Sequence, residues 1–213
     1  MKIICKTTLL GDPFVGTTFW IEVPDDDPAW GVNRLAHAEG FEAASVDWGD
    51  GKVEQVTVES GVVHEYAKGG RYRVRVDDSI RELRCSSGSE SAEFSVYTMR
   101  IVGFETTATR LGTLLSHCFA WGRKLESLNL RATCDFRLAT SCFKECASLS
   151  GVLKFAENVA LSTTISASPP FIGCTGLTEV QFAKCREEEI RATKAFEADS
   201  NLGLPNGRVV FCE

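Results

Sequence analysis

Four phenylalanines in the second half of the chain set the strongest constraint on its fold. Phe119, Phe143, Phe171 and Phe196 are separated by 24, 28 and 25 residues, and a leucine follows each at a constant offset of six: Leu125, Leu149, Leu177 and Leu202. The first three units continue as Leu-Glu-Ser-Leu-Asn-Leu130, Leu-Ser-Gly-Val-Leu-Lys-Phe155 and Leu-Thr-Glu-Val-Gln-Phe182. The fourth is stretched by Pro205-Asn206-Gly207 before Arg-Val-Val-Phe211. A unit of about 25 residues cannot bury its own apolar face, so such units are stable only when stacked around a continuous core. The pattern predicts a compact turn or short helix at each Phe and a short strand at each L-x-x-Φ-x-Φ segment, where Φ is apolar. The strands then stack at about 4.8 Å. Ile80–Cys85 and Thr98–Val102 are candidates for weaker rungs, with Ile101 lying 27 residues before Leu128. Glu187–Ala198 reads as a helix, with Glu187 and Arg191 at i,i+4 and Ile190, Ala195 and Phe196 turned inward.

The first part of the chain has a different rhythm. Residues 17–23 are rich in β-branched and aromatic types and end at Pro24-Asp-Asp-Asp-Pro28. Ala44–Trp48, Val53–Val58, Val62–Tyr66 and Tyr72–Val76 are further strand candidates. In the last of these Tyr72, Val74 and Val76 alternate with Arg71, Arg73 and Arg75, which describes a half-buried strand with a basic outer face. Short strands separated by Gly and Asp turns point to a sandwich. The expected fold is therefore mainly β with short helices: a β-sandwich over residues 1–78 and a short repeat solenoid over residues 79–213. Ser86–Ser91 reads as a polar surface turn near the join.

Two blocks of the front half, Val46-Asp-Trp-Gly-Asp-Gly51 and His64-Glu-Tyr-Ala-Lys-Gly-Gly-Arg-Tyr-Arg-Val74, together resemble the polycystic-kidney-disease (PKD) domain family. Its pattern is a W-x-F-G-D-G-like turn followed by H-x-Y-x-x-x-G-x-Y-x-V, and here the turn is the shorter W-G-D-G form. The repeats, as in Cys142-Phe-Lys-Glu-Cys-Ala-Ser-Leu149 and Phe171-Ile-Gly-Cys-Thr-Gly-Leu177, resemble the BspA-like leucine-rich repeat over about residues 95–213. The first unit departs from that pattern with Gly122 where Cys is expected, and the last with Asp199. A PKD-like module leading into BspA-like repeats is similar to an architecture of gut-bacterial and phage proteins. The resemblance implies an immunoglobulin-like β-sandwich followed by a short leucine-rich-repeat solenoid, and with them adhesion and partner binding.

Chemistry-bearing residues read as structural. Asp50 suits a turn former between two glycines, with Asp47 a solvated neighbour, and His64 suits a packed histidine at a strand end. Asp25, Asp26 and Asp27 read as a water-facing loop, because a metal site needs oxygen ligands converging from more than one segment. The chain has nine cysteines and three histidines. Cys118 and Cys142 immediately precede a repeat Phe, and Cys146 and Cys174 follow one by three residues, which fits tight interior positions. His117 adjoins Cys118, but adjacency in sequence does not make a nucleophile–base pair. Without a P-loop, G-x-G-x-x-G, H-E-x-x-H or G-x-S-x-G motif, no enzyme, cofactor or metal is expected.

The function expected is a non-catalytic binding or adhesion module with a protein or glycan partner. A structural component of a phage particle or surface assembly is the alternative. A formal charge of −6 argues against general nucleic-acid binding. No apolar run approaches a membrane span, and Lys6 interrupts the short apolar stretch at the start, so membrane insertion and a secretory signal are not expected. Cytoplasmic synthesis, with virion or surface association open, follows as the expectation. Strand alternation turns Leu128, Leu130, Leu153, Phe155, Val180, Phe182, Val209 and Phe211 inward. It places Asn129, Lys154 and Gln181 in one outward row and Ser127, Glu179 and Arg208 in the next, and these six are the candidate partner-binding residues. An odd cysteine count and no visible signal peptide favour reduced thiols, and without a C-x-x-C pair a structural zinc site or thioredoxin-like motif has no support. Titration of the denatured, unreduced protein is expected to find all nine; a Cys142–Cys146 disulfide would contradict that reading.

Overall fold

A computed structural model describes residues 14–57, 61–86, 93–162, 169–193 and 208–213. Over these residues the chain is mainly β, and the back half is a β-solenoid of about three turns. The front strands are β1 (Gly16–Val23), β2 (Ala29–Val32), β3 (Arg34–His37), β4 (Ala44–Asp47), β5 (Val53–Val56), β6 (Val62–Glu65) and β7 (Gly70–Asp77). They are followed by β8 (Ile80–Arg84), helix α1 (Glu93–Thr98), β9 (Ile101–Thr106), β10 (Thr113–Leu114), β11 (Ser127–Leu130), β12 (Phe136–Leu138), β13 (Gly151–Lys154), β14 (Val159–Leu161) and β15 (Leu177–Ala183). A 3-10 turn (Lys184–Arg186), helix α2 (Glu187–Ala192) and β16 (Arg208–Cys212) complete the described chain.

Two sheets run across the 78/79 join. A six-stranded sheet has the order β11-β9-β1-β7-β4-β5, and a five-stranded sheet the order β14-β12-β10-β8-β3. Within the first, β1 is antiparallel to both β7 and β9, whereas β9 and β11 are parallel. β1 therefore lies between front and back halves, and β9 is the template on which the parallel solenoid ladder begins. β13, β15 and β16 form a separate parallel sheet, and β2 pairs with β6 across the front core. There Trp30 of β2 packs on Phe19 of β1 and edge-on to Trp48.

Each solenoid turn contains two strands and a corner. The L-x-x-Φ-x-Φ strand comes first, then a two- or three-residue strand, then the Phe turn. The sequence reading did not anticipate the second strand. In that ladder Leu83, Leu114, Leu138 and Leu161 stand in register and are fully buried. The Phe segments are turns, not helices. The Phe119, Phe143 and Phe171 rings stack almost parallel, each 5.4 Å from the next. Backbone bonds tie the same corners together: Phe119 N–H donates to Cys142 O, Phe143 N–H to Pro170 O, Trp121 N–H to Lys144 O and Glu145 N–H to Ile172 O. Directing the last two N–H groups at the next turn puts Trp121 and Glu145 in the left-handed region, at φ 68° and 61°; Gly173 takes that position in the third turn. A side chain held there costs about 1–2 kcal/mol, which the inter-turn bonds offset.

The recurring cysteines belong to the same arrangement. Cys146 Sγ donates to Phe119 O at 3.1 Å and Cys174 Sγ to Phe143 O at 3.0 Å, each reaching back one turn. The eight cysteines of the described residues are free thiols; Cys5 lies outside them. Of the predicted inward residues, Leu130, Phe155, Val180 and Phe182 are buried in the core, and Leu128, Leu153, Val209 and Phe211 are partly buried against it. In the sheet, Leu128 stands opposite Phe104 and not Ile101, so the first rung is set by a spacing of 24 residues. α2 carries the Glu187–Arg191 ion pair and buries Ile190. Ala195, Phe196 and Leu202 lie outside the described residues, as do Val58, Asp199 and most of the Ser86–Ser91 turn.

Because the rings of Phe119 and Phe171 both rest on Phe143, Phe143→Ala removes two stacking contacts and opens a cavity. It is expected to cost about 3–5 kcal/mol, measurable as a lowered midpoint in urea without a change of slope. An unshifted midpoint would show that the ring column does not support the stack.

Candidate functional site

The six-stranded sheet turns one face to the core and the other to solvent. Its inward row is Leu128, Phe104, Phe19 and Val74. Successive strand residues face opposite ways, so the neighbouring rows lie outside. One is Asn129, Glu105, Thr18, Arg75 and Asp47; the other is Ser127, Gly103, Trp20 and Arg73. Asn129 Nδ2 donates to Glu105 at 2.8 Å, and Asn129 Oδ1 accepts from Arg131 at 3.1 Å. The Trp20 ring packs against Gly103, where a Cβ would lie 3.2 Å from the ring, and the Arg73 guanidinium sits 5.8 Å from its centroid.

The six candidate residues fall on two sheets. Ser127 and Asn129 are on β11, whereas Lys154, Glu179, Gln181 and Arg208 are on β13, β15 and β16. Lys154 stands opposite Gln181, and Glu179 opposite Arg208, as strand alternation predicts. The row beyond Gln181 continues to Val210, and the row beyond Glu179 to Val152, which is 57% exposed. The ladder is interrupted between β11 and β13. The second unit has one more residue between its Leu149 and Phe155 than the first has between Leu125 and Leu130, and Gly151 accommodates it at φ 76°. A further irregularity at Thr178 resets the β13–β15 register, and its hydroxyl donates to Gly151 O. Glu179 is nearly buried, held by Gln181 Nε2 and by Arg208 Nε at 2.6 Å. The Gln181 bond, followed by that of Arg208, keeps its carboxyl below the usual range.

Trp20, Arg73, Arg75 and Glu105 join this face without having been assigned to it. Their signal was present: Thr18, Trp20 and Glu22 alternate with Phe19, Ile21 and Val23, and the three arginines with Tyr72, Val74 and Val76. What the pattern lacked was the pairing of β1 with both β7 and β9.

In the front half, Asp50 closes the W-G-D-G turn. Its Oδ1 accepts Lys52 N–H at 3.0 Å and its Oδ2 lies 2.9 Å from His64 Nε2. Gly49 and Gly51, at φ 81° and 94°, provide the conformations on either side. His64 stacks on Trp48 at 4.6 Å, and Trp48 Nε1 donates to Glu54 at 2.6 Å. Tyr66 donates to Trp48 O, and burial pushes its hydroxyl pKa up. Both His64 nitrogens thus face carboxylates, Asp50 and Glu54, and the ring is packed in place. Burial raises the Asp50 carboxyl, but the bonds from His64 and Lys52 N–H outweigh it and hold the group below its ordinary value.

The acidic loop is not simply solvated. Asp27 pairs with the buried Arg100, and Asp25 accepts Gly69 N–H at 3.0 Å. Cys118 Sγ lies 3.9 Å from Cys85 Sγ, and burial pushes the Cys85, Cys142 and Cys146 thiols well above their ordinary range. Thiols in that state are poor nucleophiles at neutral pH. Among the described residues no three His, Cys, Asp or Glu side chains are grouped to hold a metal, and no helix is long and apolar enough to cross a membrane. Comparison with family models, curated proteins and solved structures finds no match.

Asp50→Ala is expected to cost about 1–2 kcal/mol, because it strips His64 and the turn of an acceptor. A carboxyl held low in the folded state contributes fully above its unfolded value of about 3.9, and the contribution is lost as pH falls through the folded value. The stability gap between wild type and variant should therefore close on acidification below about pH 4, which thermal melts across pH 2–7 would measure. A gap that is constant with pH would count against the ionised bond.

Proposed function

We propose that this chain is a non-catalytic binding module that recognises a protein or glycan through its outward sheet faces. In this reading the front half is a PKD-like sandwich of the immunoglobulin type, and the back half is a BspA-like leucine-rich-repeat array. The observation that carries the proposal is the register of the six-stranded sheet. Asn129, Glu105 and Arg75, from back and front halves, stand half-buried in a single row on the outward side of the sheet, joined through the buried Thr18. Extended sheet surfaces of stacked repeats are suited to contacts spread over many residues. Mixed charge on the rows, with Glu105 and Asp47 among the arginines, favours a polar partner over a lipid or a nucleic acid. The buried thiols and the fully engaged His64 offer no activated nucleophile, which supports binding over catalysis.

Screening wild type on protein and glycan arrays identifies the partner. Asn129→Ala, Lys154→Ala and Gln181→Ala combined should then weaken binding of that partner at least tenfold; loss of the Asn129–Glu105 and Gln181–Glu179 bonds is expected to lower stability by about 1–3 kcal/mol, so retention of the fold is checked by circular dichroism. A folded triple variant that binds with unaltered affinity would move the interface off these rows.

A further inference from the structure

At one end of the outward face, the sheet meets α1 in a groove of about 490 Å³. Its walls combine cations with aliphatic surface. Arg71, Arg100 and Lys124 line it with a single carboxylate, Glu22, beside Val23, Pro24, Val96 and Met99. The fold assembles these groups from four segments. Glu22 and Arg71 stand opposite each other on β1 and β7, and Glu22 N–H donates to Arg100 O at 2.8 Å. Lys124 reaches in from the loop between the Phe119 turn and β11, with Nζ 3.2 Å from Glu22 Oε2.

The charges do not balance. Arg100 is buried, and its guanidinium is taken up by Asp27 and Ala29 O, so it forms a fixed wall. Arg71 and Lys124 instead share one carboxylate, Arg71 on Oε1 and Lys124 on Oε2. Their side chains are 83% and 58% exposed, so both can turn toward an incoming anion. Beside them Val96 is 43% exposed, an apolar side chain left on the lip of the groove. Arginine and lysine side by side recognise carboxylates, and an aliphatic wall adjacent to them recognises an aliphatic side chain. None of the lining residues is aromatic, so the groove lacks a ring on which a sugar would stack.

We infer that this groove docks an acidic peptide segment of a partner protein, with an Asp or Glu carboxylate between Arg71 and Lys124 and a neighbouring aliphatic side chain against Val96 and Met99. The inference rests on the binding-module reading and narrows its partner to a protein. In it Glu22 acts as an internal competitor that occupies both cations until the peptide carboxylate replaces it.

The competitor gives the test its direction. The probe is a fluorescein-labelled peptide of alternating Leu and Glu, followed by polarisation, with a Leu–Lys peptide of equal length and a heparin-type oligosaccharide alongside. The Leu–Glu peptide is expected to bind and the Leu–Lys peptide not to. Arg71→Glu combined with Lys124→Glu should weaken binding by about tenfold or more, and Glu22→Gln should strengthen it about three- to tenfold. Val96→Asp, which replaces an exposed apolar side chain by a second competing carboxylate at the lip of the groove, should also weaken binding. It keeps the test decisive if the double charge variant fails to fold. Absence of Leu–Glu binding, preference for the oligosaccharide, or indifference to Glu22→Gln and Val96→Asp would each overturn the inference. If the peptide fails while wild type still captures a partner on the arrays, the groove assignment is wrong and the binding reading stands. If both fail, the binding reading falls as well.

Discussion

Phe119, Phe143 and Phe171 sit on the solenoid axis at positions where no single turn can shield them. Phe143 is covered on both sides, by Phe119 and Phe171 at 5.4 Å each, so each turn supplies the lid of its neighbour's core. The column does not stop at the solenoid. Phe104 packs on Phe119 and on Phe19, which leads through Trp30 and Trp48 to His64, Tyr66 and Tyr72; at the other end Phe171 leads through Phe155 and Phe182 to Phe211. Each aromatic pair contributes about 0.5–1.5 kcal/mol beyond the area it buries. The backbone bonds and cysteine thiols that join the corners have good geometry because the rings set the spacing between turns.

Much of this was legible, and the reason is periodicity. A ring that must meet its copy one turn later leaves a fixed offset in the sequence, and so does the thiol that reaches back to a phenylalanine carbonyl. The front strands β1, β4, β6 and β7 were equally readable from alternation and from their Gly and Asp borders. The second strand of each turn was not. β10 has two residues and β12 and β14 three each, too few for alternation to register. Their leucine ladder runs at spacings of 31, 24 and 23 residues. β2 and β3 were missed for a related reason: they are four residues each and separated by Asn33 alone.

The candidate face was readable strand by strand but not sheet by sheet. Alternation correctly sorts Asn129, Lys154 and Gln181 from the leucines and phenylalanines beside them. It does not register the extra residue at Gly151, which divides the face between two ladders, because an insertion in a turn leaves the alternation of the following strand intact. Nor does alternation state which strand lies beside which. The rows that join Asn129 to Arg75, and the groove in which Arg71 meets Lys124, arise from the pairing of β1 with both β7 and β9: Thr18 stands opposite Arg75 and Glu105, 57 and 87 residues away.

β1 has a further consequence for how the molecule comes apart. It is hydrogen-bonded along one side to β7 of the front half and along the other to β9, the template of the solenoid. A protease or an engineer who cuts between residues 78 and 79 severs one peptide bond but leaves two antiparallel ladders and a shared aromatic core intact. Two fragments made separately would each carry a bare sheet edge, the state that invites strand exchange and aggregation. Supplied together, they have the complementary edges of a split protein. Two regimes of sequence are thus joined across one sheet, with β1 as the seam.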